Sequence, residues 1–206
     1  MSAEARWNAA WEALGARPPA GLLAELRACY GEPHRAYHTL DHVEECFAAL
    51  APAASLAERL PELELAIWFH DAICDPRGAD NETASARWAE RSLRDAGVAA
   101  DAARRVAALV LVTRHHVVPE DPDARLLADV DLAILGAEPA RYLEYERQIR
   151  REYDWVPDPA FSEGRARVLH AFLARPRIYG TDHFAAQLEA RARANLARSL
   201  AAFERA

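Results

Sequence analysis

The sequence predicts an all-α protein. Apolar residues recur at three- and four-residue spacing along most of the chain, and no alternating run of Val, Ile and Thr reads as a strand. Gly or Pro stands wherever the pattern stops, as helix ends require. With 206 residues and no linker long enough to divide it, the chain reads as a single compact helical bundle over residues 1–206.

The elements follow in order. A first helix covers about Ala5 to Leu14 and stops at Gly15, ahead of Pro18-Pro19. A second runs from about Leu22 to Tyr30, with Gly31 as its stop. Glu32 to Thr39 is polar and reads as a loop before a helix from near Asp41 to Leu50. Pro61 opens a fourth helix, since a first turn needs no N–H at that position, and this helix carries Leu65, Ile67, Trp68 and Phe69. Asp75 to Asp80, with Pro76 and Gly78, is a loop, and Asp80 or Asn81 caps a helix that ends at Gly97. Asp101 caps another that reaches His116, and Asp123 opens the next, which stops near Gly136. Three last helices occupy about 139–153, 160–174 and 182–204, separated by Pro157, Pro159 and Pro176.

Hydrophobic residues make up 51% of the chain and charged residues 28%, enough for a core. The net charge of −7 excludes a broad nucleic-acid-binding face, which needs clustered positive charge. A small anion can still be held by a metal or a local Arg pocket. All 25 basic residues are Arg, which excludes a lysine Schiff base and the P-loop lysine but leaves bidentate phosphate binding open. Cys29, Cys46 and Cys74 form no C-x-x-C pair and sit among apolar residues, where each reads as a buried small hydrophobe. No apolar signal core or transmembrane-length stretch is present, so the expected location is the reduced cytoplasm, with no membrane partner.

Three segments carry chemistry. In Arg35-Ala36-Tyr37-His38-Thr39-Leu40-Asp41-His42, the histidines are four residues apart and share a face if the chain there is helical. In Leu65-Ala66-Ile67-Trp68-Phe69-His70-Asp71-Ala72-Ile73-Cys74, a His and an Asp interrupt an apolar run. An unpaired buried carboxylate costs several kcal/mol, roughly, so a divalent cation, a buried His–Asp pair or a backbone amide bonded to the Asp must compensate it. In Leu126-Leu127-Ala128-Asp129-Val130-Asp131-Leu132, two carboxylates point to nearly opposite sides of one helix, so only one can face a given metal. Periodicity does not choose between Asp129 and Asp131.

The order His42, His70-Asp71, Asp131 resembles the H…HD…D signature of the HD superfamily of metal-dependent phosphohydrolases. The Tyr37-His38 to His42 spacing is similar to the first motif of cyclic-nucleotide phosphodiesterases, where the earlier His protonates the leaving group and the later one binds metal. The Arg-x-Tyr-His, Phe-His-Asp and Asn-Glu layout also resembles a bacterial group of predicted HD phosphohydrolases. The resemblance covers about residues 35–135, the implied metal-site core, and leaves additional C-terminal helices over about 138–206. It implies His42, His70, Asp71 and Asp131 as ligands, with Asp131 preferred for its Val-Asp-Leu context and Asp129 in reserve. It implies His38 as general acid.

Arg35, beside the first motif, is the candidate phosphate binder, with Arg114 behind it. Glu82 stands as either a catalytic base acting through a water or an ordinary helix-start acid. Asp75 is either a ligand support or a solvated loop residue, and His115 or His116 either an extra ligand or a helix-end histidine. The expected function is hydrolysis of a phosphate mono- or diester of a small molecule, nucleotides being the class the resemblance implies. One or two divalent ions, from Mn, Mg, Fe, Ni, Co and Zn, would activate water. The rival readings are an HD-fold di-iron oxidoreductase and a non-catalytic nucleotide sensor.

Overall fold

The computed structural model describes residues 2–114 and 120–204, and among these it contains ten α-helices, two 3-10 segments and no strand. The all-α expectation holds. The chain divides into two units, Met1–Val130 and Asp131–Ala206.

The first unit carries α1 (Ala3–Ala13), α2 (Leu22–Tyr30), α3 (Leu40–Leu50), α4 (Leu60–Phe69), α5 (Asn81–Asp95), α6 (Ala100–Val112) and the body of α7 (Pro122–Asp131). Its centre is α4, which packs against α1, α3, α5 and α6. Every residue from Glu62 to Phe69 is buried, as expected of a helix apolar on nearly all sides. Trp68 lies in an aromatic cluster, with Trp7 at 5.5 Å and Phe47 at 6.1 Å between ring centroids, and Trp7 in turn meets Trp11 at 5.4 Å. The two buried acids on α4 are paired from neighbouring helices: Arg6 donates to Glu64 at 2.7 Å and the Arg105 Nε to Glu62 at 2.8 Å. Such pairing offsets much of the cost of burying a carboxylate.

Two boundaries differ from expectation. The helix expected to reach His116 ends at Val112, where the Thr113 and Arg114 N–H groups bond the carbonyls three residues back, Val110 and Leu111, each at 3.3 Å. His115 and His116 lie outside the described residues. The helix expected to end near Gly136 stops at Asp131 and tightens into a 3-10 turn over Leu132–Gly136. A second 3-10 segment, Ala51–Leu56, extends α3 beyond the helix expected to end at Leu50.

The second unit contains the Leu132–Gly136 turn, α8 (Pro139–Glu152), α9 (Asp158–Leu173) and α10 (Asp182–Phe203). Asn195 of α10 donates to the Leu135 and Ala137 carbonyls, each at 2.9 Å, so the turn is bonded to the helix it packs on. A Cβ on Gly136 would come 2.6 Å from the Leu188 Cβ, and that close approach requires glycine. Arg165 donates two bonds to Glu146 and one to the Tyr145 hydroxyl, while the Tyr142 hydroxyl donates to Glu146 at 2.6 Å. The stretch from Tyr142 to Trp155 thus packs Tyr142, Tyr145 and Glu146 internally. It also lines an apolar cavity of about 270 Å³ beside Ile149, Tyr153 and Phe161.

No helix among the described residues is long and apolar enough to cross a membrane.

Candidate metal centre

The site is built where the C-terminal end of α4 meets the start of α3. His70 caps α4 and Asp71 follows in the turn, so both emerge from the most buried helix of the first unit. His42 lies in the first turn of α3, and His38 lies in the loop two residues before it. The two histidines therefore do not share a helix face; the loop delivers one and the helix the other. Their ring centroids are 6.0 Å apart, and Tyr37 packs on both, at 5.0 Å from His38 and 4.6 Å from His42.

The His70 Nδ1–H donates to the Ile67 carbonyl at 2.8 Å, so in the neutral ring it is Nε2 that carries the lone pair, directed away from α4. That Nε2 lies 3.0 Å from the Nε2 of His42 and 2.9 Å from the Oδ2 of Asp71, and the His42 Nε2 is 3.5 Å from the same oxygen. Two imidazole nitrogens and a carboxylate oxygen at these distances share either hydrogen-bonding protons or a metal ion. The triangle fits the latter. Its circumradius is about 1.8 Å, so a point about 2.1 Å from all three atoms exists about 1 Å off their plane. From that point the two shorter edges subtend about 90° and the longer one about 110°, which suits a divalent ion with one side open.

Burial alone would push the Asp71 carboxyl up. The charges of His70 and His38, with hydrogen bonds from His42 and His70, outweigh it and hold Asp71 well below the usual carboxylate range. Asp71 is thus an anion, as a ligand must be.

A second group of donors overlaps the first. His42, Cys46, His70 and Asp131 each offer one ligand atom, and the four atoms lie within 4.8 Å of one another, with only Asp131 more than marginally exposed. This cluster can hold a metal ion. Asp131 is the last residue of α7, so the helix that ends there sets its position. Asp129, also buried, is not a member, in keeping with the opposite directions of residues two apart on a helix. Cys46 was expected to be inert packing; the structure puts its sulfur among the donors. The signal in the sequence was its four-residue spacing from His42, one helical turn on α3.

Arg35 has a different task from the one expected. Its Nη1 donates to the His38 carbonyl at 3.0 Å and the Asp71 carbonyl at 2.6 Å, its Nη2 to the Ala72 carbonyl at 2.9 Å, and its Nε to Glu32 at 3.0 Å. The guanidinium, buried over the Tyr30 ring, ties the His38 loop to the His70-Asp71 turn. Little of its fork remains for a phosphate. Tyr30 adds to the same junction by donating to the Trp68 carbonyl at 3.0 Å, and burial with the nearby Asp71 charge pushes its phenol well up, so it stays a donor. His34 completes the strap with a 2.7 Å bond to the Cys74 carbonyl.

The remaining candidates stand apart from the donor group. Glu82 is half-buried in the first turn of α5 and is not a member of the cluster. Its neighbour Asn81 bonds both the N–H and the carbonyl of Asp75, and the Asp75 carboxylate accepts from the Arg77 N–H at 2.9 Å. Asn81 and Asp75 thus shape the loop before α5. Arg114 is exposed and faces Asp80 at 3.6 Å.

No protein-family model, no curated protein and no solved structure matches the chain.

Proposed function

We propose that the protein is a metal-dependent phosphohydrolase that cleaves a phosphate mono- or diester of a small molecule. The observation that carries this is the triangle of His42 Nε2, His70 Nε2 and Asp71 Oδ2, with edges of 2.9–3.5 Å, whose two histidines also share a donor cluster with Asp131. The resemblance of these residues to the HD superfamily supports the same chemistry.

His42, His70, Asp71 and Asp131 would hold a divalent ion, which supplies Lewis acidity toward a water and a phosphoryl oxygen. His38 is half-buried at the edge of this group, close enough for its charge to act on Asp71. From there it donates a proton to the leaving oxygen. Arg35 positions both the His38 loop and the Asp71 turn and leaves charge neutralisation on the phosphate to the ion. Nucleotides are the substrate class to examine first.

The test is a phosphatase screen of metal-loaded protein against nucleoside monophosphates, cyclic nucleotides and an activated diester. Hydrolysis that disappears with chelator, returns with metal and is absent from Asp71→Ala supports the reading. Absence of hydrolysis from protein shown to hold metal contradicts it.

A further inference from the structure

We infer that Cys46 is a thiolate ligand of this ion and makes the site select a borderline metal such as zinc, ferrous iron or cobalt over magnesium. The inference rests on the metal-binding part of the reading above, and not on the reaction.

Three observations carry it. Cys46 follows His42 by one turn of α3, so the two side chains leave the helix on the same face. Its Sγ lies 3.7 Å from the His42 Nε2, the nitrogen that also faces His70 and Asp71, and 3.8 Å from the Nδ1 of the same ring. Bonds of about 2.3 Å to sulfur and about 2.1 Å to nitrogen, at a tetrahedral angle, separate the two donors by about 3.6 Å. The sulfur also shares a cluster with the His70 and Asp131 donors, all within 4.8 Å. A cysteine serving only as packing has hydrocarbon neighbours. This one is buried among two imidazoles and a carboxylate.

The consequence for metal choice is chemical. Magnesium favours an octahedral shell of oxygens and keeps most of its waters, whereas this set offers sulfur, two nitrogens and carboxylate oxygen. Thiolate and imidazole together suit zinc, cobalt or ferrous iron. The two other cysteines are free thiols outside the cluster.

Cobalt reports the ligand directly. Metal-free protein titrated with Co²⁺ should develop a near-ultraviolet thiolate-to-cobalt charge-transfer band together with visible d–d bands. The charge-transfer band should vanish in both C46S and C46A and persist in the C29S/C74S double variant, with all variants checked for native helicity by circular dichroism. Zinc affinity should drop at least about tenfold in C46S, while the weak affinity for Mn²⁺ changes little. Visible cobalt bands without the charge-transfer band, in folded wild-type protein, overturn the Cys46 assignment and leave the metal site standing. No cobalt binding in wild type overturns both. A charge-transfer band that survives in C46S and is lost in C29S/C74S also overturns the assignment.

Discussion

Replacing Arg35 with Ala removes one buried guanidinium from three backbone carbonyls, those of His38, Asp71 and Ala72, and from the partly exposed Glu32. A hydrogen bond to a charged group contributes about 1.5–3 kcal/mol, so the three carbonyl bonds set an upper bound of about 4.5–9 kcal/mol. Water enters the vacated space and bonds some of the carbonyls, and the three losses are not additive. The expected destabilisation is therefore about 3–5 kcal/mol, the range for removing one side of a buried charged network. Urea melts of metal-free protein measure it as a lower midpoint at unchanged slope. Arg35→Lys should fall between wild type and Arg35→Ala, because an ammonium cannot span carbonyls that lie on two segments. Metal affinity should weaken in step, since the His38 loop and the Asp71 turn are no longer held together. A midpoint shift equivalent to less than about 1 kcal/mol, with metal affinity unchanged, would refute the strap.

Other expectations follow from the same structure. Trp68→Ala leaves a cavity beside Trp7 and Phe47 near the C-terminal end of α4 and should cost about 3–5 kcal/mol in urea melts. Asp71 is held below the ordinary carboxylate value of about 3.9, so on acidification the unfolded chain takes up that proton first. The stability it contributes is present above about pH 4 and is lost as pH falls through its folded value, so metal-free wild type should lose more stability between neutral and acid pH than Asp71→Asn. His38→Ala should lower turnover on a poor leaving group by about 10²–10⁴ with metal content unchanged, and by less on an activated ester. Loss of metal from that variant would make His38 a ligand instead.

Much of the fold was legible because its signals are local. Gly31 stops α2 where the apolar spacing ends, and Pro61 opens α4. The lengths of α6 and α7 were not legible, because the tightening after Val112 and after Asp131 acts within a single turn that periodicity cannot resolve. At the site, His70 and Asp71 stood out because polar groups interrupt an apolar run. Cys46 did not, since cysteine is at home in a core and only the company it keeps in three dimensions marks it as a donor. Arg35 was recognisable as unusual from its place beside the histidines. Which carbonyls it meets depends on where α4 ends against the 32–39 loop, and that is a tertiary fact.

Calorimetric titration of chelator-stripped protein with Zn²⁺ reads out whether His42, His70 and Asp71, with Asp131, form a metal site. Wild type should bind one or two ions per chain. His70→Ala should bind at least about 100-fold more weakly, because both the ligand and its fixed orientation are lost. Folded wild-type protein that binds no zinc, or His70→Ala that binds it as tightly as wild type, would contradict the account.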